Sequence, residues 1–131
     1  LGVPVAAYGQ DRFPAFYTPD SGFDAPLRLD SPAEAARMLR AAWGLGLQNG
    51  AVIGNPIPAA YAIPRHKIDA AIDEALSRAA KEGVSGKSLT PYLLAAVTEL
   101  TGGESLRANK QLVYNNASLA AEIAVAYAAL A

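Results

Sequence analysis

The chain has 131 residues, of which 52% are hydrophobic and 18% charged, with a formal net charge of −1 and no cysteine. That length accommodates one domain with a real core, and the near-neutral balance, without a basic run, argues against an electrostatic grip on nucleic-acid phosphates or an anionic membrane. Without cysteine, disulfides, thiolate metal sites and a cysteine nucleophile are excluded from these residues, a composition compatible with a reducing cytosol.

The sequence opens Leu1-Gly2-Val3 with no initiator Met, so it is expected to be an interior piece of a longer polypeptide. No signal-peptide pattern is present, and the Ala-rich tail is interrupted by Glu122 and too short for a membrane span. Val3 to Tyr8 is apolar and ends before Gly9, which predicts a buried strand, with Pro4 arguing against a central ladder position at its start. Arg12 to Tyr17 is a second extended candidate whose aromatics point to core, with Phe16 or Tyr17 as an alternative substrate wall. Turn chemistry from Thr18 to Pro26 leads to a short strand at Leu27 to Leu29.

Ser31-Pro32-Ala33-Glu34 predicts a helix start, with Ser31 as N-cap, Pro32 at the first helical position and Glu34 completing a capping box. The helix should run to about Trp43, where Gly44 and Gly46 stop it. Ala51 to Gly54 reads as a short buried strand, followed at once by Asn55-Pro56-Ile57-Pro58. Asn55 thus stands at a strand's carboxyl end, the edge where α/β sheets bind ligands; it is a site candidate or, alternatively, the anchor of an Asx-type turn.

Pro64 should begin a helix with Ile68, Ala71, Ile72, Ala75, Leu76 and Ala79 on its inner face, ended by Gly83. His66 is the only histidine and has no second His or Cys at ligand spacing, which leaves it without a metal or catalytic role. The stretch VSGKS has the Gly, Lys and Ser content of a phosphate loop, but it follows a helix and lacks the GxxxxGK[ST] spacing. Thr90-Pro91 repeats the cap-plus-proline device and predicts a helix to about Leu100, broken by Gly102-Gly103.

From about Ser105 the longest helical pattern begins, with Asn109, Leu112, Val113, Asn116, Ala120, Ile123 and Tyr127 on one broad face at a period of 3.6. Two carboxamides on an apolar stripe are either tied into backbone or turned toward a ligand. A carboxamide donates and accepts at once, as reading the imide edge of a pyrimidine base requires. Asn115 and Asn116 are alternatively a break between two helices, one of them an N-cap. The lysines at 67, 81, 87 and 110 lack the apolar setting of an imine-forming lysine. Strands interleaved with helices imply the α/β class, and the apolar faces of four helices exceed what three or four short strands can cover.

The segments GVPVAAYG, PAFY, LRLDSPAEAARM, GAVIGNPIP and HKIDAAIDEAL, with SGKSLTPYLL, TGG followed by SL, and N-x-QLV-x-NNA in that order, resemble the carboxyl-terminal portion of pseudouridine-5′-phosphate glycosidase. That family also contains indigoidine synthase A proteins, and the resemblance covers essentially all of residues 1–131. It implies an α/β fold, three-layer α/β/α with a mixed sheet, of which this chain supplies the carboxyl-terminal part of one domain. The implied activity is reversible cleavage of the C–C glycosidic bond of pseudouridine 5′-phosphate to uracil and ribose 5-phosphate. An imine-forming lysine, an acidic proton-transfer residue and a divalent metal, usually manganese, would lie on an amino-terminal portion outside these residues. By the resemblance Asn109 matches the active-site asparagine beside the base, while Asn55 and Asn116 match recurrent positions with no assigned role. It further implies a homotrimer, a small-molecule substrate and a cytoplasmic setting, and the charge balance adds the expectation of no nucleic-acid or membrane partner. Two other readings keep the fold: a C-ribosylating enzyme of pigment or antibiotic pathways, and a non-catalytic assembly module.

Overall fold

The computed structural model describes residues 2–130; Leu1 and Ala131, the ends of the expected domain, lie outside the described residues. Three strands form a small sheet: β1 (Val5–Tyr8), β2 (Arg28–Leu29) and β3 (Val52–Gly54), in the order β2-β1-β3. Both pairings are parallel, with Tyr8 opposite Leu29 and Ala6 opposite Ile53. The α/β class is as expected, but the mixed character is not visible here, since the described antiparallel pairing is one isolated bridge between Arg12 and Asp24. Parallel strands need crossovers, and α1 (Pro32–Gly44) is the crossover helix from β2 toward β3.

The remaining helices are α2 (Arg65–Lys81), α3 (Leu89–Leu100) and α4 (Glu104–Ala128), with short 3-10 turns at Ala59–Tyr61 and Gly86–Ser88. Helix α1 begins as the capping pattern dictates: the Ser31 hydroxyl accepts from the Glu34 amide at 3.2 Å. The Glu34 carboxylate reaches back one residue further than a capping box requires and accepts from the Asp30 amide at 2.7 Å. Helix α3 starts one residue before the expected Thr90 cap, because the Gly86–Ser88 turn already winds the chain and Thr90 falls inside the first turn.

Helix α4 organises the packing. Its 25 residues span about 37 Å, long enough to serve two cores in succession. Near its start, Ala108 and Leu112 pack with Ile68, Ala75, Val97 and Tyr17 in a cluster built by α2, α3 and the loop carrying Ile57 and Ile63. Near its end, Leu119 and Ile123 pack with Ala6, Leu29 and Ala35 against the sheet and α1. Gly103, at φ +84°, takes the left-handed conformation that turns the chain from α3 into α4.

Pairing register decides which strand residues face α1 and α4: Ala6, Tyr8, Leu29 and Ile53 share that face. The opposite face is approached by Phe13 and Pro14, so closely that a Cβ on Gly54 would stand 2.8 Å from Pro14 Cδ. Arg12 to Tyr17, expected as a strand, is instead a loop held by cross-links to its own return: Phe13 N–H donates to Phe23 O at 2.9 Å and Ser21 N–H to Phe13 O at 3.0 Å. Among the described residues no helix is long and apolar enough to cross a membrane.

Candidate functional site

The chain leaving β3 is fixed by two adjacent asparagines of α4. Asn115 Nδ2 donates to the Pro56 carbonyl at 3.1 Å, and Asn55 Nδ2 donates to Asn116 Oδ1 at 3.2 Å. Ile57, 2% exposed, anchors the same loop in the α2–α3 core. The fold therefore places Asn55 and Asn116 together, joining the carboxyl end of a parallel strand to the middle of a helix. Neither the Asn55 Oδ1 acceptor nor the Asn116 Nδ2 donor has a protein partner among the described residues. Both residues border a cleft of about 340 Å³ whose other walls are Ala51 and Ile53 from the strand and Leu119, Ala120 and Ile123 from α4. One wall of a ligand site has this character: an apolar surface with a donor and an acceptor at one end.

The helix does not break at Asn115 and Asn116, as it was alternatively expected to do; it is continuous from Glu104 to Ala128. Its buried stripe is Ser105, Ala108, Leu112, Leu119 and Ile123, with half-buried Asn115 filling the interval. Asn115 is thus the carboxamide tied into backbone. Asn116, placed on the apolar stripe by sequence, is exposed, as are Val113 and Ala120.

Asn109 lies elsewhere. It is half-buried and borders a second cleft of about 410 Å³ between α3 and α4, with Tyr17, Leu94, Ala95, Thr98, Ser105 and Leu106. Its carboxamide has no hydrogen-bond partner among the described residues, so both its donor and its acceptor face the cleft or solvent. The cleft has hydroxyls in its wall: Ser105 Oγ donates to Thr98 Oγ1 at 3.4 Å, and the Ser105 amide donates to Thr101 Oγ1 at 3.2 Å. Burial pushes the Tyr17 phenol above its ordinary range, an effect opposed by its hydrogen bond to the Ser105 side chain. Asn109 and Asn116 are seven residues apart, which places them on the same side of α4 and about 10 Å apart along its axis.

Residue choice by sequence missed Asn115, Thr98 and Ser105. The spacing of Ala108, Leu112, Leu119 and Ile123 around Asn115 was the available signal, but alanines on several sides of α4 define more than one plausible stripe. Thr98 and Ser105 meet only because α3 and α4 are packed together. Lys87 sits exposed in the 3-10 turn Gly86–Ser88, and His66 is exposed in the first turn of α2. Among the described residues no group of three or more His, Cys, Asp or Glu side chains is arranged to hold a metal ion. The divalent metal implied by the resemblance therefore has no donor set on these residues.

Comparison with known proteins agrees with this architecture. The profile of the family described as Indigoidine synthase A like protein matches residues 1–126. A pseudouridine-5′-phosphate glycosidase of Hahella chejuensis is 58% identical over 126 residues, 96% of this chain and 42% of that protein. One of Escherichia coli strain K12 is 52% identical over 131 residues, again 42% of its length. Among solved structures, the prealnumycin C-glycosynthase AlnA in complex with ribulose 5-phosphate superposes with a TM-score of 0.88 at 31% identity, covering 98% of this chain and 42% of that one. An indigoidine synthase A-like protein from Thermotoga maritima gives 0.82 at 31% identity, over 94% of this chain and 40% of its own. The chain thus spans about two fifths of these relatives, matching their carboxyl-terminal portion. It belongs to the indigoidine synthase A-like family, which takes in the pseudouridine-5′-phosphate glycosidases.

Proposed function

We propose that this chain is the carboxyl-terminal portion of an enzyme that reversibly cleaves the C–C glycosidic bond of pseudouridine 5′-phosphate, giving uracil and ribose 5-phosphate. The observation that carries the reading is the 58% identity, over 96% of the chain, to a relative of that name. In the cleavage direction one water is consumed: the bond between base and sugar breaks, the base carbon gains hydrogen and the sugar carbon gains hydroxyl. An unactivated C–C bond has no good leaving group, so an imine between a lysine and the opened sugar supplies the electron sink. That lysine and an acidic proton-transfer residue belong to an amino-terminal portion. A divalent metal, manganese in this reading, would be held there too and would supply charge stabilisation.

The part of this chain is to hold the substrate. Asn109, with an unpaired donor and acceptor beside the Thr98 and Ser105 hydroxyls, reads the imide edge of the base. Asn116, about 10 Å further along α4, and Asn55, which bonds to it from the carboxyl end of β3, contact the substrate there. The working form is a cytoplasmic homotrimer of the complete enzyme. A second reading, C-ribosylation of another acceptor, is favoured by the superposition on the C-glycosynthase AlnA and would alter the base end while keeping the sugar end.

The test is reconstitution with the amino-terminal portion of the Hahella chejuensis relative, followed by release of uracil from pseudouridine 5′-phosphate. Turnover by the assembled protein and none by the chain alone is expected. An assembled complex that leaves pseudouridine 5′-phosphate intact would overturn the reading.

A further inference from the structure

The loop after β1 carries two adjacent aromatic rings, Phe16 and Tyr17, and the fold sends them to different places. Phe16 is 49% exposed and borders two clefts that share Ile72 of α2. The cleft that holds Asn109 is bordered by Tyr17 and not by Phe16. Tyr17 is 8% exposed and is fixed at three points. The Ile63 N–H donates to its carbonyl at 3.0 Å, its phenol is hydrogen-bonded to the Ser105 side chain, and its ring meets that of Phe16 at 79° with centroids 4.7 Å apart. Ser105 and Asn109 are four residues apart on α4 and so are neighbours on its surface. The phenol end of Tyr17 therefore lies about one helical turn from the Asn109 carboxamide.

Hydrogen bonds along the imide edge hold a base by one side and leave its ring free to tip about that side. A second surface must fix the plane. Of the residues lining this cleft only Tyr17 is aromatic; Leu94 and Leu106, 42% and 45% exposed, are aliphatic. A ring already locked by its own packing offers π surface without a further loss of side-chain freedom. Base–aromatic stacking requires a planar, conjugated partner and takes no account of the hydrogen-bonding edge.

We propose that Tyr17 is the wall against which the base ring lies, and that it makes the Asn109 cleft selective for planar, conjugated pyrimidines over saturated ones with the same imide edge. The inference rests on the reading of that cleft as the base site and adds a second, separable element of recognition. Asn109 reads the edge and Tyr17 reads the plane.

The test uses this chain assembled with the amino-terminal portion of the Hahella chejuensis relative and measures binding of uracil and of 5,6-dihydrouracil by calorimetry. Dihydrouracil keeps both carbonyls and the N–H between them but has a puckered, unconjugated ring. The unaltered assembly is expected to bind uracil at least about tenfold more tightly than dihydrouracil. Tyr17→Leu should bring the two within about twofold, whereas Tyr17→Phe, which keeps the ring, retains the preference. Asn109→Ala should weaken both ligands by a similar factor of about tenfold and leave their ratio unchanged. No preference in the unaltered assembly, a preference that survives Tyr17→Leu, or one lost in Tyr17→Phe overturns the proposal. Should Tyr17→Leu fail to fold, the unaltered assembly carries the test by NMR, with tyrosine rings protonated in otherwise deuterated protein. The uracil C6 proton is then expected to show a nuclear Overhauser contact to a ring whose signals vanish in Tyr17→Phe, and the absence of that contact overturns the proposal. An assembly that shows the Tyr17-dependent preference but leaves pseudouridine 5′-phosphate intact sinks the catalytic reading alone. One that turns over pseudouridine 5′-phosphate with the preference unaltered by Tyr17→Leu sinks this proposal alone.

Discussion

Truncating Asn115 separates a structural carboxamide from its exposed neighbour. Asn115 Nδ2 holds the Pro56 carbonyl at 3.1 Å in a half-buried setting. Asn115→Ala removes the donor and leaves a partly desolvated carbonyl without a partner, a loss of about 1–2 kcal/mol. Asn115→Asp should cost more, since an ionised carboxylate only accepts and would face that carbonyl. Asn116→Ala breaks a hydrogen bond between exposed side chains, worth about 0.5 kcal/mol or less because water replaces the partner. The assay is thermal unfolding of the three variants in the assembled protein. Asn115→Ala is expected to lower the midpoint by about 2–8 °C, Asn115→Asp by more, and Asn116→Ala by less than about 2 °C. Equal losses for Asn115→Ala and Asn116→Ala would refute the division of labour between the two residues.

Gly54→Ala places a methyl 2.8 Å from Pro14 Cδ and 3.0 Å from Phe13 Cε2, so about 1–3 kcal/mol of stability should be lost, visible in the same unfolding assay. Lys87→Ala and His66→Ala should each retain activity within about twofold, as both are exposed and away from the two clefts; a hundredfold loss with folding intact would contradict this. Burial raises the Tyr17 pKa in the folded state, so its stabilising contribution is complete below the unfolded value of about 10 and is lost as pH rises through the folded value. Tyr17→Phe should therefore flatten the fall in unfolding midpoint on the alkaline side; an unchanged fall would remove Tyr17 as its source.

What could be read from the sequence was what local chemistry decides. The start of α1 was legible because Ser31, Pro32 and Glu34 satisfy a helix terminus by themselves, and the Asn55 loop was legible because a β-branched run ends in Asn-Pro-Ile-Pro. Long-range packing was not. The aromatic run Phe13 to Tyr17 has strand composition, yet its backbone bonds go to Thr18, Ser21, Phe23 and Ile63, none of which lies in β1, β2 or β3. The face of α4 was misjudged by about one residue, because small side chains such as Ser105 and Ala108 are buried while Val113 is 57% exposed. An α-helix hides small residues where another helix approaches closely, and periodicity weighted by side-chain size points away from them. Asn55 and Asn116 were each singled out by sequence, but their hydrogen bond depends on α4 crossing the carboxyl end of β3.

The base-reading role of Asn109 is the central claim, and paired substrate dependence tests it most directly. In the synthetic direction Asn109→Ala should reduce kcat/KM for uracil by about tenfold to a hundredfold, corresponding to roughly 1–3 kcal/mol, while ribose 5-phosphate affinity stays nearly unchanged. Asn109→Asp should be worse for uracil near neutral pH, because a carboxylate would oppose the base carbonyls. Equal impairment of both substrates, or of neither, would contradict the claim and make Asn109 a structural asparagine.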